Sequence, residues 1–150
     1  MNSLYNHKKI KAMVSLTKGE GYGRPLLEFT LTKKPLITTA WSGQMDYLKP
    51  EFTTLIGGNL TNVHPSAANK ITKESQWFSP HHAEIGKALK DVFENYKNYV
   101  DGGKRQAYHS KTNFNWDKMK DNLDKLLNNN LPKFASEIEL ILPDLTLPTL

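Results

Sequence analysis

Up to residue 57 the apolar positions come in short runs split by glycine, proline and small polar residues, whereas beyond residue 80 they recur every three or four. Residues 12–17, AMVSLT, form a run of apolar and β-suited residues that ends before a glycine loop, the pattern of a buried strand. PLLEFTLTK (25–33) predicts a helix, with Pro25 at the first helical position, where its missing N–H has no partner to lose. The residue before a proline avoids helical angles, so Arg24 is expected as the N-cap. PLITT (35–39) reads as a second strand, SGQMDYL (42–48) as a short helix capped by Ser42, and FTTLIG (52–57) as a third strand.

Residues 58–80 are rich in small polar residues and hold Pro65 and Pro80, which predicts loops. PHHAEIGKALKDVFENYKNYV then places Ile85, Leu89, Val92, Phe93 and Tyr96 on one helical face, with Gly102 and Gly103 expected to end the helix. A shorter helix is expected over 104–111. Another is expected from Asn115 to Asn128, with Trp116, Met119, Leu123, Leu126 and Leu127 inward. The tail, 131–150, alternates apolar and polar residues around Pro143 and Pro148 and reads as an extended arm or edge strand. Strand–helix–strand alternation followed by helices predicts an α/β fold with a parallel sheet, whose ligands bind at the carboxyl ends of the strands.

Composition narrows the chemistry. The chain has 38% hydrophobic residues and no cysteine, which suits a single globular domain and excludes disulfide and thiolate chemistry. No run reaches the roughly 18 apolar residues of a membrane span. The first residues hold no apolar signal-peptide core, so the expected location is the cytoplasm. The net charge of +5 is carried by lysines scattered along the chain, the pattern of a solvated surface. A nucleic-acid module, with its steep salt dependence, is the weaker reading of that charge, and no nucleic-acid partner is expected.

The candidate site is GEGYGRPLLE, Gly19 to Glu28. It fits neither G-x-G-x-x-G nor the P-loop pattern, and no acidic residue follows the second strand to hold a ribose. Gly21 and Gly23 permit close backbone approach, and the first N–H groups of the helix after Pro25 (Leu26, Leu27 and Glu28) are expected to be free for a phosphate. Glu20 and Glu28 cannot bind phosphate, but each carboxylate accepts two hydrogen bonds, as vicinal sugar hydroxyls require. A diphosphate with a sugar at each end would use both. A first-turn glutamate is also favoured by the helix dipole alone, by roughly 0.3–1 kcal/mol, which is the plain reading of Glu28.

SLTKGEGYGRPLLEFTLTKKPLITTAWSGQMDYL resembles the donor-binding half of the retaining glycosyltransferases of GT-B fold that share an E-x7-E motif, the group-1 or family-4-like enzymes. The likeness extends to WFSP, HAEIGKALKDVF (Trp77, Pro80, Glu84) and FNWDKMKDNLDKLL, and so covers about residues 4–128. It implies a Rossmann-like parallel sheet flanked by helices over 1–130, without the first strands and the N-terminal domain of a complete GT-B fold. It further implies that Glu20 contacts the donor sugar and Glu28 the nucleotide ribose. Gly21, Gly23, Arg24, Pro25 and Leu26 would meet the diphosphate, and Ser42 and Gly43 would border the donor pocket. The implied reaction is transfer of a sugar from a nucleotide-diphosphate sugar, the co-substrate, to a glycan, lipid or protein acceptor with retention, without metal or other cofactor.

The same resemblance puts the family's upstream arginine and lysine, and its acceptor domain, before Met1. The chain alone is therefore expected to be weakly active or inactive, with a sheet edge near residues 12–17 open to self-association. The alternative is a non-catalytic nucleotide-sugar-binding or assembly module on the same fold. Other residues carry less chemistry. His81 and His82 would diverge by about 100° on a helix and make a poor metal pair. His7, His64 and His109 have no ligand partners nearby in sequence. Trp77 and Phe78 are expected as packing aromatics, and the Asn59 glycosylation pattern as chance.

Overall fold

In the computed structural model, which describes residues 1–67, 70–72 and 74–132, three strands form one parallel sheet. They are β1 (Met13–Ser15), β2 (Leu36–Thr39) and β3 (Thr54–Ile56), in spatial order β1-β2-β3. Met13 pairs with Leu36 and Ser15 with Thr38; Ile37 pairs with Thr54 and Thr39 with Ile56. A four-residue helix α1 (Asn2–Tyr5) precedes the sheet, and α2 (Arg24–Thr30) joins β1 to β2. The predicted α/β class with a parallel sheet is therefore present.

Successive β2 residues point to opposite faces, and both faces are covered. Leu36 packs with Leu26 and Phe29 of α2 and with Tyr47 and Leu48. Ile37 packs with Ile56 and with Val92, Ile85 and Ala88 of α3 (His82–Glu94). Burial on both faces is why β2 is an unbroken apolar and threonine run rather than an alternating one. β1 lies at a sheet edge, with Val14 exposed.

Several expectations are corrected. The loop-rich middle holds an antiparallel hairpin, β4 (Gly58–Asn62) and β5 (Gln76–Pro80), pairing Gly58 with Pro80 and Asn62 with Gln76. Its first strand is almost wholly exposed, so GNLTN carries none of the apolar alternation that marks a strand. The single helix expected from residue 81 breaks at Asn95, which ends α3 and precedes α4 (Tyr96–Asn113). Asp91 accepts from both the Asn95 amide and the Tyr99 hydroxyl across that break.

Gly102 and Gly103 do not end a helix; they lie inside α4, where the separate 104–111 helix was also expected. A Cβ at Gly102 would stand 2.9 Å from the Phe52 carbonyl oxygen, and one at Gly103 2.7 Å from that of Lys33. Both glycines let α4 approach backbone, which sequence cannot tell from a cap. On α3, Ile85, Ala88 and Val92 face the sheet, while Leu89 is exposed and Phe93 is 85% exposed. The last helix, α5 (Trp116–Asn130), is amphipathic as predicted, but its apolar side is not inward: Trp116, Met119, Leu123, Leu126 and Leu127 are all exposed. The extended tail falls almost wholly on residues 133–150, outside the described ones. No helix among the described residues is long and apolar enough to cross a membrane.

Candidate functional site

Parallel strands bring the loops after β1, β2 and β3 to one edge of the sheet. The first runs from Leu16 to Gly23. The second, from Ala40, leads into a 3₁₀ turn at Gly43–Asp46, and the third is Gly57. Backbone bonds join them: Ala40 N–H donates to the Ile56 carbonyl at 2.9 Å, and the Thr39 hydroxyl to the Thr17 carbonyl at 3.1 Å.

The Ser42–Gly43 turn is sewn to Glu20. Glu20 N–H donates to Ser42 Oγ at 3.0 Å, Ser42 Oγ lies against the Glu20 carbonyl, and Gly43 N–H donates to that carbonyl at 3.2 Å. Ser42 was expected as a side-chain cap for the following helix. Its hydroxyl makes no cap bond there because it serves this cross-link instead. The geometry requires Ser42 to hold φ 74°, ψ −162°, a region that residues with a Cβ occupy at a cost of about 1–3 kcal/mol. It also requires glycine at 43, where a Cβ would run into the carbonyl of Gly21.

Gly23 is the N-cap of α2, with φ 72°, and Arg24 is the first helical residue rather than the cap. The preference against helical angles before Pro25 yields here because Gly23 takes up the turn in a left-handed conformation. The Tyr47 hydroxyl donates to the Gly23 carbonyl at 2.6 Å, and burial pushes the Tyr47 pKa up, which keeps it a donor. The helix-start donors are also placed differently from expectation. Leu26 N–H and Leu27 N–H both donate to the Gly23 carbonyl, at 2.9 and 3.3 Å. The amides of Gly21, Tyr22, Gly23 and Arg24 make no hydrogen bond among the described residues. The unpaired donors on exposed residues, Gly21, Tyr22 and Arg24, thus lie two to five residues before the first predicted one, Leu26, largely in the loop itself.

The two glutamates differ. The Glu20 carboxylate makes no hydrogen bond or ion pair among the described residues, although its backbone is held on both sides. Glu28 Oε1 receives Arg24 Nε at 2.7 Å in an exposed pair. Such a pair contributes about 0.3–0.5 kcal/mol and is readily exchanged for a ligand. Glu28 lines a cleft of about 300 Å³ with Asn2, Tyr5, Asn6, Leu31 and Thr32, and Arg24 lines a different one. The fold therefore joins Glu20, Ser42 and Gly43 closely, and sets Glu28, one turn after Arg24 in α2, on a separate cleft shared with Asn2, Tyr5 and Asn6.

Sequence reasoning missed what the hairpin contributes to this edge. Phe78 N–H donates to the Lys18 carbonyl at 3.0 Å, Phe78 stacks on Trp41 at 5.6 Å between centroids, and Lys18 Nζ sits 3.7 Å over the Trp77 ring. His81 Nδ1 pairs with Glu84 Oε1 at 2.8 Å, while Glu84 Oε2 accepts Gly57 N–H at 3.0 Å. These bonds, first the one to His81, hold the Glu84 pKa below the usual carboxylate range. The WFSP and HAEIG segments flagged by resemblance are what carry these residues. No group of three or more metal-ligating side chains occurs among the described residues.

Fold and loops together define an open α/β protein whose candidate binding edge is the carboxyl end of a parallel sheet. Neither the protein-family models nor the curated proteins compared with this sequence give a match.

Proposed function

We propose that this chain is the donor-binding half of a retaining glycosyltransferase of GT-B fold, working on a nucleotide-diphosphate sugar. The observation that carries the reading is the Glu20 loop. It stands at the carboxyl edge of a parallel sheet, bonded to Ser42 and Gly43, with a carboxylate that no described residue engages and with unpaired amides on the exposed residues Gly21, Tyr22 and Arg24. In this reading the amides of Gly21, Tyr22 and Arg24 and the Arg24 guanidinium take the diphosphate and stabilise it as the leaving group. Glu20 accepts hydroxyls of the donor sugar. Glu28 accepts the ribose through the oxygen that Arg24 leaves open, which also orients the guanidinium. The proposed reaction needs no metal or other cofactor, as the resemblance implies. Groups for the acceptor, whether glycan, lipid or protein, belong to a second GT-B domain, and the setting is cytoplasmic.

Backbone-amide NMR of the full chain, titrated with UDP, GDP and ADP and then with their glucose derivatives, tests the reading. The expected result is millimolar binding of one nucleotide, with shifts centred on Gly21 to Leu26. Glu28→Ala should weaken nucleotide binding. Glu20→Ala should remove only the increment added by the sugar. Absence of shifts in residues 19–28 with every nucleotide at about 10 mM, where even a binding energy near 3 kcal/mol would register, overturns it.

A further inference from the structure

We propose that α5 is a dimerisation element that pairs with α5 of a second copy of this chain. Its apolar residues follow the 3-4-3-4 spacing of a coiled-coil seam. Trp116, Leu123 and Asn130 fall on one seam position, Met119 and Leu126 on the other, and Leu127 flanks them. All five apolar members are exposed, Trp116 by 73%, and α5 has no buried residue. Their exposed parts come to roughly 500 Å² of apolar surface, more than a few hundred square ångströms and short of the roughly 800 Å² each copy gives to a standard interface. At the head of α5 the stripe continues into a cleft of about 440 Å³ shared with Tyr22, Leu27 and Phe114, which supplies further area.

Charge favours a second copy over other occupants. Asp117, Asp121 and Asp124 balance Lys118, Lys120 and Lys125, so α5 is neutral in a chain of net charge +5. Two copies meet least repulsion there. A membrane-surface helix would instead have a basic polar face. An antiparallel pair opposes the two helix dipoles and keeps the two α/β bodies at opposite ends. It pairs Leu123 with Leu126 in the two layers that flank the two-fold axis, and Met119 with Asn130 in the next.

Sedimentation of the full chain at about 100 µM is expected to report twice the monomer mass, with dissociation on dilution through the micromolar range. Leu123→Asp sets a carboxylate against Leu126 in each of the two central layers and is expected to give a monomer with an unchanged far-UV spectrum and melting temperature, because Leu123 is half exposed. The chain has no cysteine, so Leu123→Cys introduces a lone thiol. Mild oxidation should cross-link it to dimer much faster than Asn128→Cys on the opposite face. A wild-type monomer at every concentration, which would leave the stripe to residues after 132 or to another protein, overturns the proposal. So does a dimer that survives Leu123→Asp but is lost on Val14→Lys at the sheet edge, or equal cross-linking at 123 and 128.

Discussion

Three residues keep the loops of the candidate site together, each for a different physical reason. Gly23 is required by its positive φ and by the Tyr47 hydroxyl, which a Cβ would meet at 2.9 Å. Gly43 is required by contact with the Gly21 carbonyl, and Ser42 accepts a strained backbone so that its hydroxyl can bridge to Glu20. His109 shows a different residue-scale effect. Its Nδ1 faces the Asn113 amide at 3.1 Å, and its buried Nε2 makes no hydrogen bond among the described residues. Burial, and then the nearby Lys49 charge, hold its pKa below the ordinary 6.5. The unfolded chain therefore takes up this proton first: the stabilisation is full above pH 6.5 and is lost as pH falls toward the lowered folded value. The melting temperature is expected to drop between pH 7 and 5.5, and His109→Gln should flatten that part of the profile.

Among the elements, α4 shows most clearly how packing overrides a local signal. Gly102 and Gly103 look like a helix terminator, yet they are the points at which α4 touches the backbone of Phe52 and Lys33. Further along the same helix, the buried Gln106 donates to the Tyr47 carbonyl at 2.8 Å and accepts Lys49 N–H at 2.9 Å, fixing the segment that carries Tyr47 beneath the site. The two kinds of helical glycine predict opposite signs on substitution. Gly86, in α3, has open space where a Cβ would go, so Gly86→Ala should stabilise by about 0.5–1 kcal/mol through helix propensity. Gly103→Ala should destabilise by about 1–3 kcal/mol, because the Lys33 carbonyl must move. Chemical denaturation of both variants checks the contrast.

At the scale of the whole molecule, the hairpin and the sheet are separate hydrogen-bonded units. They meet through the Trp41–Phe78 stack, the Phe78 to Lys18 bond and the His81 to Gly57 bond. Removing the stack by Trp41→Ala should lower hydrogen-exchange protection in β4 and β5 while leaving β2, buried on both faces, unchanged. That arrangement also marks how far the chain can be read without its fold. The three parallel strands, α2 and the amphipathic character of α5 are legible because each rests on a local pattern: a short β-suited run, a proline at a helix start, a 3-4 spacing. The juxtaposition of Glu20 with Ser42 and Gly43 was implied by resemblance alone, since no spacing along the chain encodes a contact 22 residues apart. The hairpin was illegible because its first strand is polar and exposed. The direction of the α5 stripe was illegible because periodicity says that a helix has an apolar face but not what lies against it. Local patterns thus determined the three parallel strands, α2 and α5, and their order along the chain. Only the tertiary structure decided which backbones approach closely enough to demand glycine, which amides stay open around Glu20, and which apolar face is left for a partner, because each depends on residues far apart in the chain.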